Sequence, residues 1–265
     1  MTAIPTAASR RRYGRLAAPD VTSALTKTSV LCLPIGSCEQ HGPHLPLNTD
    51  TVIAEAFTEL LVERYGERHD LWALPVMPYG LSPEHAWAPG TMTLRAATFL
   101  YLLDEVVREY TRATAAGHLV IVNGHGGNRG ILEAAVHELR LAYGVEVCVI
   151  HPSALSPVRT EGRVPEVHAG VRETSLMLAL APEDVHLDRL PTDGSLGSQG
   201  PETTRRIVFD RGLTWPWSSG DATVAAHGVI GGDPRSASAH HGRSVLAGAL
   251  DAAADVLEQL TTYRP

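Results

Sequence analysis

Residues 30–50 read VLCLPIGSCEQHGPHLPLNTD. The first six, Val30 to Ile35, form an unbroken apolar run and predict a buried strand. Gly36 and Ser37 end it. Glu39, His41, His44 and Asp50 follow, with Pro43 and Pro46 stiffening the path between them. From Thr51 the spacing turns helical. The polar cluster therefore sits on a loop at the carboxyl end of a strand, where open α/β sheets bind their ligands. Glu, His and Asp are oxygen and nitrogen donors that suit zinc, manganese or iron(II). Glu39 and His41 are two residues apart, so in an extended segment their side chains leave on one face. Asp50 has two oxygens and could bridge two ions. Read alone, the same stretch is also compatible with a polar surface loop whose Asp caps a helix.

Strand, loop and helix repeat from here to residue 150. A helix is predicted over 52–65, a strand over Leu71–Val76, and a Pro- and Gly-rich loop over Met77–Thr91 that carries Glu84, His85 and Trp87. A helix over Leu94–Ala113 leads to a wholly apolar strand at Leu119–Val122, as a central parallel strand requires. A helix over Gly130–Tyr143 and a strand over Val145–Ile150 complete the repeat. This order predicts an α/β fold, a single three-layer α/β/α domain with a mainly parallel central sheet. Beyond Ile150 the pattern is less regular. Ser153–Glu166 reads as loop, His168–Ala181 as a polar turn entering a helix, residues 182–220 as irregular, Val229–Pro234 as a tight turn and Gly242–Thr261 as a final helix. Residues 1–14 read as a mobile tail and 15–265 as one domain.

The chain has 265 residues, 44% of them hydrophobic, and a net charge of −7. That balance provides no basic face for nucleic acid. Lys27 is the only lysine, so Schiff-base and phosphate-loop chemistry have almost no candidate. Cys32, Cys38 and Cys148 show no paired spacing, which fits a reducing cytoplasm. Cys38 is either a nucleophile or a small filler beside the loop. No apolar run approaches a membrane span, and the N-terminal Arg cluster lacks the apolar region of an export signal.

Two more clusters carry chemistry. Asn123–Asn128 (NGHGGN) presents His125 at the end of the third strand, on the same predicted rim as Glu39, His41 and Asp50. Asn128 leads into a helix and either caps it or orients a ligand. His168-Ala-Gly-Val-Arg-Glu173-Thr174 places Glu173 in the first turn of a helix, where an acidic residue also complements the helix dipole. Trp87, Trp215 and Trp217 are scarce large side chains, available for a pocket wall, a packed core or a subunit interface.

These stretches carry a resemblance. Gly36-Ser37-Cys38-Glu39-Gln40-His41-Gly42-Pro43-His44-Leu45-Pro46 with Asp50, then Pro89-Gly90-Thr91, then NGHGGN, then His168-Ala-Gly with Glu173-Thr174-Ser175, resemble the creatininase (creatinine amidohydrolase) family in order from about residue 15 to the final helix. The resemblance implies a compact α/β/α fold and two divalent ions per chain, zinc first, with manganese or iron(II) as alternatives. It implies hydrolysis of a C–N amide bond and a homo-oligomer, often a hexamer. Glu39, His41, Asp50 and His125 match metal ligands, with Asp50 bridging, and His168 and Glu173 match the proton-handling pair. Members that open creatinine carry a Glu where this chain has Gly127. The HGGN form instead resembles the branch that contains the mycofactocin-precursor peptidase and a pyrimidine-nucleotide deformylase, which argues against creatinine as the substrate.

The expected reaction is two-metal hydrolysis, in which a water held between the ions attacks an amide carbonyl. His168 serves as general acid to the leaving nitrogen. Gly127 leaves the second ion with only Asp50 and His41, fewer than the three protein ligands usual for catalytic zinc. Glu173 is therefore expected to ligate it as well. Glu84, His85, Trp87, Asn128, Trp215 and Trp217 are the expected substrate contacts. The substrate is a peptide precursor or, alternatively, a cyclic amide or formamide. The non-enzymatic alternative is a catalytically silent metal-binding assembly protein.

Overall fold

The computed structural model describes residues 10–161, 165–196, 206, 208, 212 and 214–262. Four strands, β1 (Val30–Ile35), β2 (Leu71–Ala73), β3 (His118–Asn123) and β4 (Glu146–Ile150), form one sheet in the order β2-β1-β3-β4. Every pairing is parallel. The helices are α1 (Ala18–Ala24), α2 (Thr49–His69), α3 (Ala96–Ala113), α4 (Arg129–Tyr143), α5 (Pro152–Leu155), α6 (Val171–Leu180) and α7 (Ala239–Thr262).

Alternation along the strands builds the three layers. Val30, Cys32, Val120 and Val122 point to one face and pack with Phe57 and Leu61 of α2, Leu176 of α6 and Ala249 of α7. Leu31, Leu33, Leu119 and Ile121 point to the other and pack with Phe99 and Leu103 of α3 and Leu132 of α4. The α/β/α sandwich expected from the strand-helix repeat is thus present. The chain leaves β1 for β2 on one side and returns past β1 to β3 on the other. Such a reversal opens a crevice at the carboxyl ends of the two strands. The loops after β1 and β3 both enter it, and α2 begins there. Close approach at this point needs a bare backbone: a Cβ on Gly124 would lie 2.2 Å from the Asp50 carbonyl oxygen. Glycine there lets the β3 loop press against the first turn of α2 and brings His125 to Asp50.

Three boundaries differ from expectation. β2 ends at Ala73 rather than Val76, because Pro75 has no N–H to continue the ladder. Met77 rejoins through its N–H to the Pro34 carbonyl at 2.9 Å. α2 is longer than predicted, starting at Thr49 and stopping at a left-handed Asp70 (φ 49°). The tail expected over 1–14 is shorter on its inner side. Residues 1–9 lie outside the described residues, but Arg11 pairs with Asp70 at 2.7 Å and lies over the Trp72 ring. Arg12 bridges to Ala73, and Tyr13 packs edge-on against Tyr110. Part of the irregular 182–220 stretch (197–205, 207, 209–211 and 213) also lies outside the described residues. Among the described residues no helix is long and apolar enough to cross a membrane.

Candidate metal centre

The crevice brings together all six residues singled out for metal or proton chemistry. Glu39 and His41 come from the loop after β1, Asp50 from the start of α2, and His125 from the loop after β3. His168 and Glu173 come from the turn into α6 and its first turn. Glu39, His41, Asp50, His125 and His168 are all buried. Asp50 divides its two oxygens: Oδ1 is 3.3 Å from His41 Nε2, and Oδ2 is 3.0 Å from His125 Nδ1. His125 Nδ1 is 3.3 Å from Glu39 Oε1, and His168 Nδ1 is 3.5 Å from the same oxygen. Glu173 Oε2 lies 3.9 Å from His41 Nε2.

Backbone carbonyls set the imidazole tautomers. His41 Nδ1–H donates to the Glu39 carbonyl at 3.1 Å, His125 Nε2–H to the Leu81 carbonyl at 2.7 Å, and His168 Nε2–H to the Gln40 carbonyl at 2.6 Å. Each ring thereby leaves its other nitrogen facing the carboxylates, the arrangement that orients metal-binding histidines. Three groups have ligand atoms within 4.8 Å of one another: Glu39/Asp50/His125, His41/Asp50/Glu173 and Glu39/His41/His168. Both Glu39 oxygens and Asp50 Oδ2 are buried without a hydrogen-bond partner among the described residues. A buried carboxylate oxygen left so is costly. A divalent cation would satisfy all three oxygens, so the donor set fits a metal.

The electrostatics point the same way. Burial would lower the His41 pKa, but Asp50, then Glu173 and Glu39, raise it to about 9. Against burial, Glu39 and Asp50 likewise hold His125 well above the usual histidine range. Burial favours protonated Asp50, yet His41 and His125 push its carboxyl far below the usual carboxylate range. Burial, with help from Asp50 and Glu39, raises Glu173 to about 7. Without a cation, the cluster recruits protons to balance its carboxylates. His168 differs: burial, then His85 and His41, hold it well below the usual value and therefore neutral.

A cavity of about 1370 Å³ opens beside the cluster. Asp50, His125, His168 and Glu173 line it, as do the expected substrate contacts Glu84, His85 and Trp217. Trp87 is half-exposed, and its indole N–H donates to Ser219 Oγ at 2.8 Å. Trp87 and two further expected contacts lie outside the cavity wall. Asn128 is fully buried, with its amide donating to the carbonyl of Gly36 and to Asn123 Oδ1 and accepting from the Leu81 N–H. It ties the strand-end loops together, neither caps α4 nor reaches the cavity. Trp215 is half-exposed and is not part of the cavity wall. His44 turns away from the carboxylates and bonds Thr174 Oγ1 at 2.8 Å.

Sequence reasoning assigned no role to Gln40 or Ser219, both buried in the hydrogen-bond web around His85. A polar residue between two metal-loop donors was a signal for Gln40. Ser219 had none, since it lies in the irregular segment and meets His85 across 134 positions. Gly127 acquires a physical reason. A Cβ there would lie 2.2 Å from the Leu81 carbonyl oxygen and 3.0 Å from Glu84 Oε1. The loop after β2 occupies the space into which a side chain at 127 would project.

The family profile for creatinine amidohydrolase matches residues 14–257. The chain is 36% identical over 237 residues to the mycofactocin precursor peptide peptidase of Mycolicibacterium smegmatis, across 87% of this chain and 85% of that protein. It is 34% identical over 181 residues to the creatinine amidohydrolase of Pseudomonas putida, across 61% of this chain and 68% of that protein. The solved manganese form of creatininase superposes with a TM-score of 0.73 at 26% identity, covering 96% of this chain and 99% of that one. A zinc–zinc form of a creatininase variant superposes with a TM-score of 0.69 at 28% identity, covering 95% and 98%.

Proposed function

Because the chain belongs to the creatinine amidohydrolase family, we propose that it is a two-metal hydrolase that cuts an amide bond in a small peptide. The observation that carries this reading is the set of three carboxylates, two of them buried and Glu173 half-buried, met by imidazole nitrogens whose opposite N–H groups are all tied to backbone carbonyls. Glu39, Asp50 and His125 would hold one ion, and His41, Asp50 and Glu173 the other, with Asp50 shared. Two such ions supply an acidified water and a Lewis acid for the amide carbonyl.

The chain's own groups handle the protons. His168 is neutral and presents a bare Nδ1 beside Glu39. It accepts the proton that the attacking water releases and returns it to the leaving nitrogen. This refines the expected role of general acid: the proton His168 delivers is one it must first take up. Glu173, facing His41 and capping the turn through the Ala169 N–H at 2.6 Å, acts as a ligand rather than a proton donor. The peptide as substrate is supported by the relatives at 36% identity and by a cavity larger than a single small ring requires. Gly127 and the Leu81 carbonyl beside it argue against the creatinine-opening arrangement.

The test is hydrolysis of a set of short peptides, a formamide and creatinine, with product identification, before and after exhaustive chelation. Peptide cleavage that chelation abolishes and Zn²⁺ or Mn²⁺ restores is the expected result. Formate or a ring-opened acid as the only product would redirect the substrate class. Full activity with metal content near zero would overturn the mechanism.

A further inference from the structure

His85 is oriented in the opposite sense to the other three imidazoles of the site. The Gln40 amide orientation is set because its Oε1 accepts the Gly42 N–H at 2.8 Å. Gln40 Nε2, which can only donate, therefore faces His85 Nδ1 at 2.9 Å. Ser219 Oγ lies 2.7 Å from the same nitrogen and already accepts the Trp87 indole N–H. Gln40 Nε2 also lies 3.2 Å from Ser219 Oγ and from the Gly228 carbonyl. A proton on His85 Nδ1 would nevertheless set two donors 2.9 Å apart with no carbonyl to receive it, so Nδ1 is the acceptor and the ring proton sits on Nε2. At His168 Nε2, 3.1 Å from the same amide nitrogen, the closer Gln40 carbonyl at 2.6 Å takes the ring proton instead.

Among the described residues no acceptor lies within hydrogen-bond distance of the Nε2–H. Its nearest carboxylate oxygen, Glu39 Oε1, is 3.6 Å away, beyond a hydrogen bond. The residue is buried, lines the cavity and stacks on His168 with centroids 4.0 Å apart and planes at 25°. The hydrogen is thus available to a molecule in the cavity that the residue lines. The ring does not qualify as a further metal ligand, since the nitrogen nearest the carboxylates carries the proton.

We propose that His85 donates its Nε2–H to the substrate's carbonyl oxygen as negative charge builds there, with Gln40 and Ser219 fixing the tautomer that makes this possible. The inference rests on the amidohydrolase reading for its reaction but not for its geometry. The stacked pair then divides the work: His168 offers a lone pair to the proton in transit, and His85 offers a hydrogen to the oxygen. Preorganised donors of this kind contribute because they need not reorient as the charge develops.

The experiment uses the metal-loaded full-length protein with His85→Phe, which keeps a stacking ring, and His85→Gln, which keeps an N–H donor. Nitrogen-15 NMR of the wild type should show an unprotonated Nδ1 and a protonated Nε2 at His85. Calorimetric titration with methylphosphonate, a tetrahedral anion, should show binding weakened at least about tenfold in His85→Phe and largely recovered in His85→Gln, with metal per chain unchanged. On a cleaved peptide, His85→Phe should lose ~10²-fold or more in kcat with KM little altered. A proton on Nδ1, loss of metal in His85→Phe with its fold intact, or methylphosphonate affinity within twofold of wild type would overturn the proposal. If the wild type cleaves no amide, the reaction assignment fails, while the tautomer and the methylphosphonate titration still decide the donor.

Discussion

Asp50 meets His41 with one oxygen and His125 with the other; Glu39 joins the His125 side and Glu173 the His41 side in the two groups that contain Asp50, while Glu39 also reaches His41 and His168. The two groups should therefore empty independently. Glu173→Gln is expected to lose one ion per chain and keep the one held by Glu39, Asp50 and His125. His168→Ala should keep both ions and lose roughly two to four decades in kcat. Elemental analysis beside steady-state kinetics checks both. Two ions retained in Glu173→Gln with activity gone would return Glu173 to proton transfer. Gly127 supports a second expectation. Its Cβ position is 2.2 Å from a backbone oxygen that itself accepts the His125 Nε2–H. Gly127→Glu should thus lower the melting temperature and weaken metal binding at His125 rather than confer creatinine opening. A variant with unchanged Tm and metal content would show that the Leu81 loop yields freely.

At the scale of elements, the helix bearing Glu173 is braced from outside. Arg172, its neighbour on α6, directs its guanidinium to the Ser153 carbonyl at 2.7 Å, the Ser153 hydroxyl at 3.0 Å and the Val158 carbonyl at 2.8 Å. Residues 153–160 line the cavity, so one side chain links a ligand-bearing helix to the substrate wall. Arg172→Met would leave those acceptors without their donor, at a cost of about 2–3 kcal/mol, or roughly 5–10 °C in Tm. The wall should loosen more than the metal cluster. KM is expected to rise by more than kcat falls, with metal per chain constant, as read by scanning calorimetry, peptide kinetics and elemental analysis. Equal loss of metal would place Arg172 inside the ligand framework instead. The turn at 229–230 braces the same region from the opposite side through paired backbone bonds between His168 and Ile230.

For the whole molecule, the cluster couples folding to pH and to metal. In the metal-free protein His41 is raised from 6.5 to about 9, so its stabilisation is complete below pH 6.5 and is lost as pH rises through 9. His125 is shifted in the same sense, opposed by burial but raised by Glu39 and Asp50. Glu173, raised by burial from 4.5 to about 7, adds a penalty that grows between those two values. The metal-free protein should therefore lose Tm steadily from pH 6.5 to 9. Divalent ions replace the protons they displace, so stabilisation by Zn²⁺ or Mn²⁺ should grow over the same window. A flat metal-free Tm across it would contradict the charge arrangement described above. Legible along the chain were the parallel strand-helix order, the placing of Glu39, His41, Asp50 and His125 at strand ends, and the family. Those features are local: apolar period, glycine breaks and donor spacing within about twenty residues carry them. The positions of Trp87, Asn128, Trp215 and residues 10–14 were not legible in the sequence, because each is settled by what packs against it. Which donors lie together, which nitrogen of each imidazole faces the carboxylates, and how Gln40 and Ser219 orient His85 are properties of the folded chain alone. Those relations join residues as far apart as 179 positions. A contact across such a distance depends on how whole loops meet at the end of a sheet, and it leaves no period or spacing in the chain.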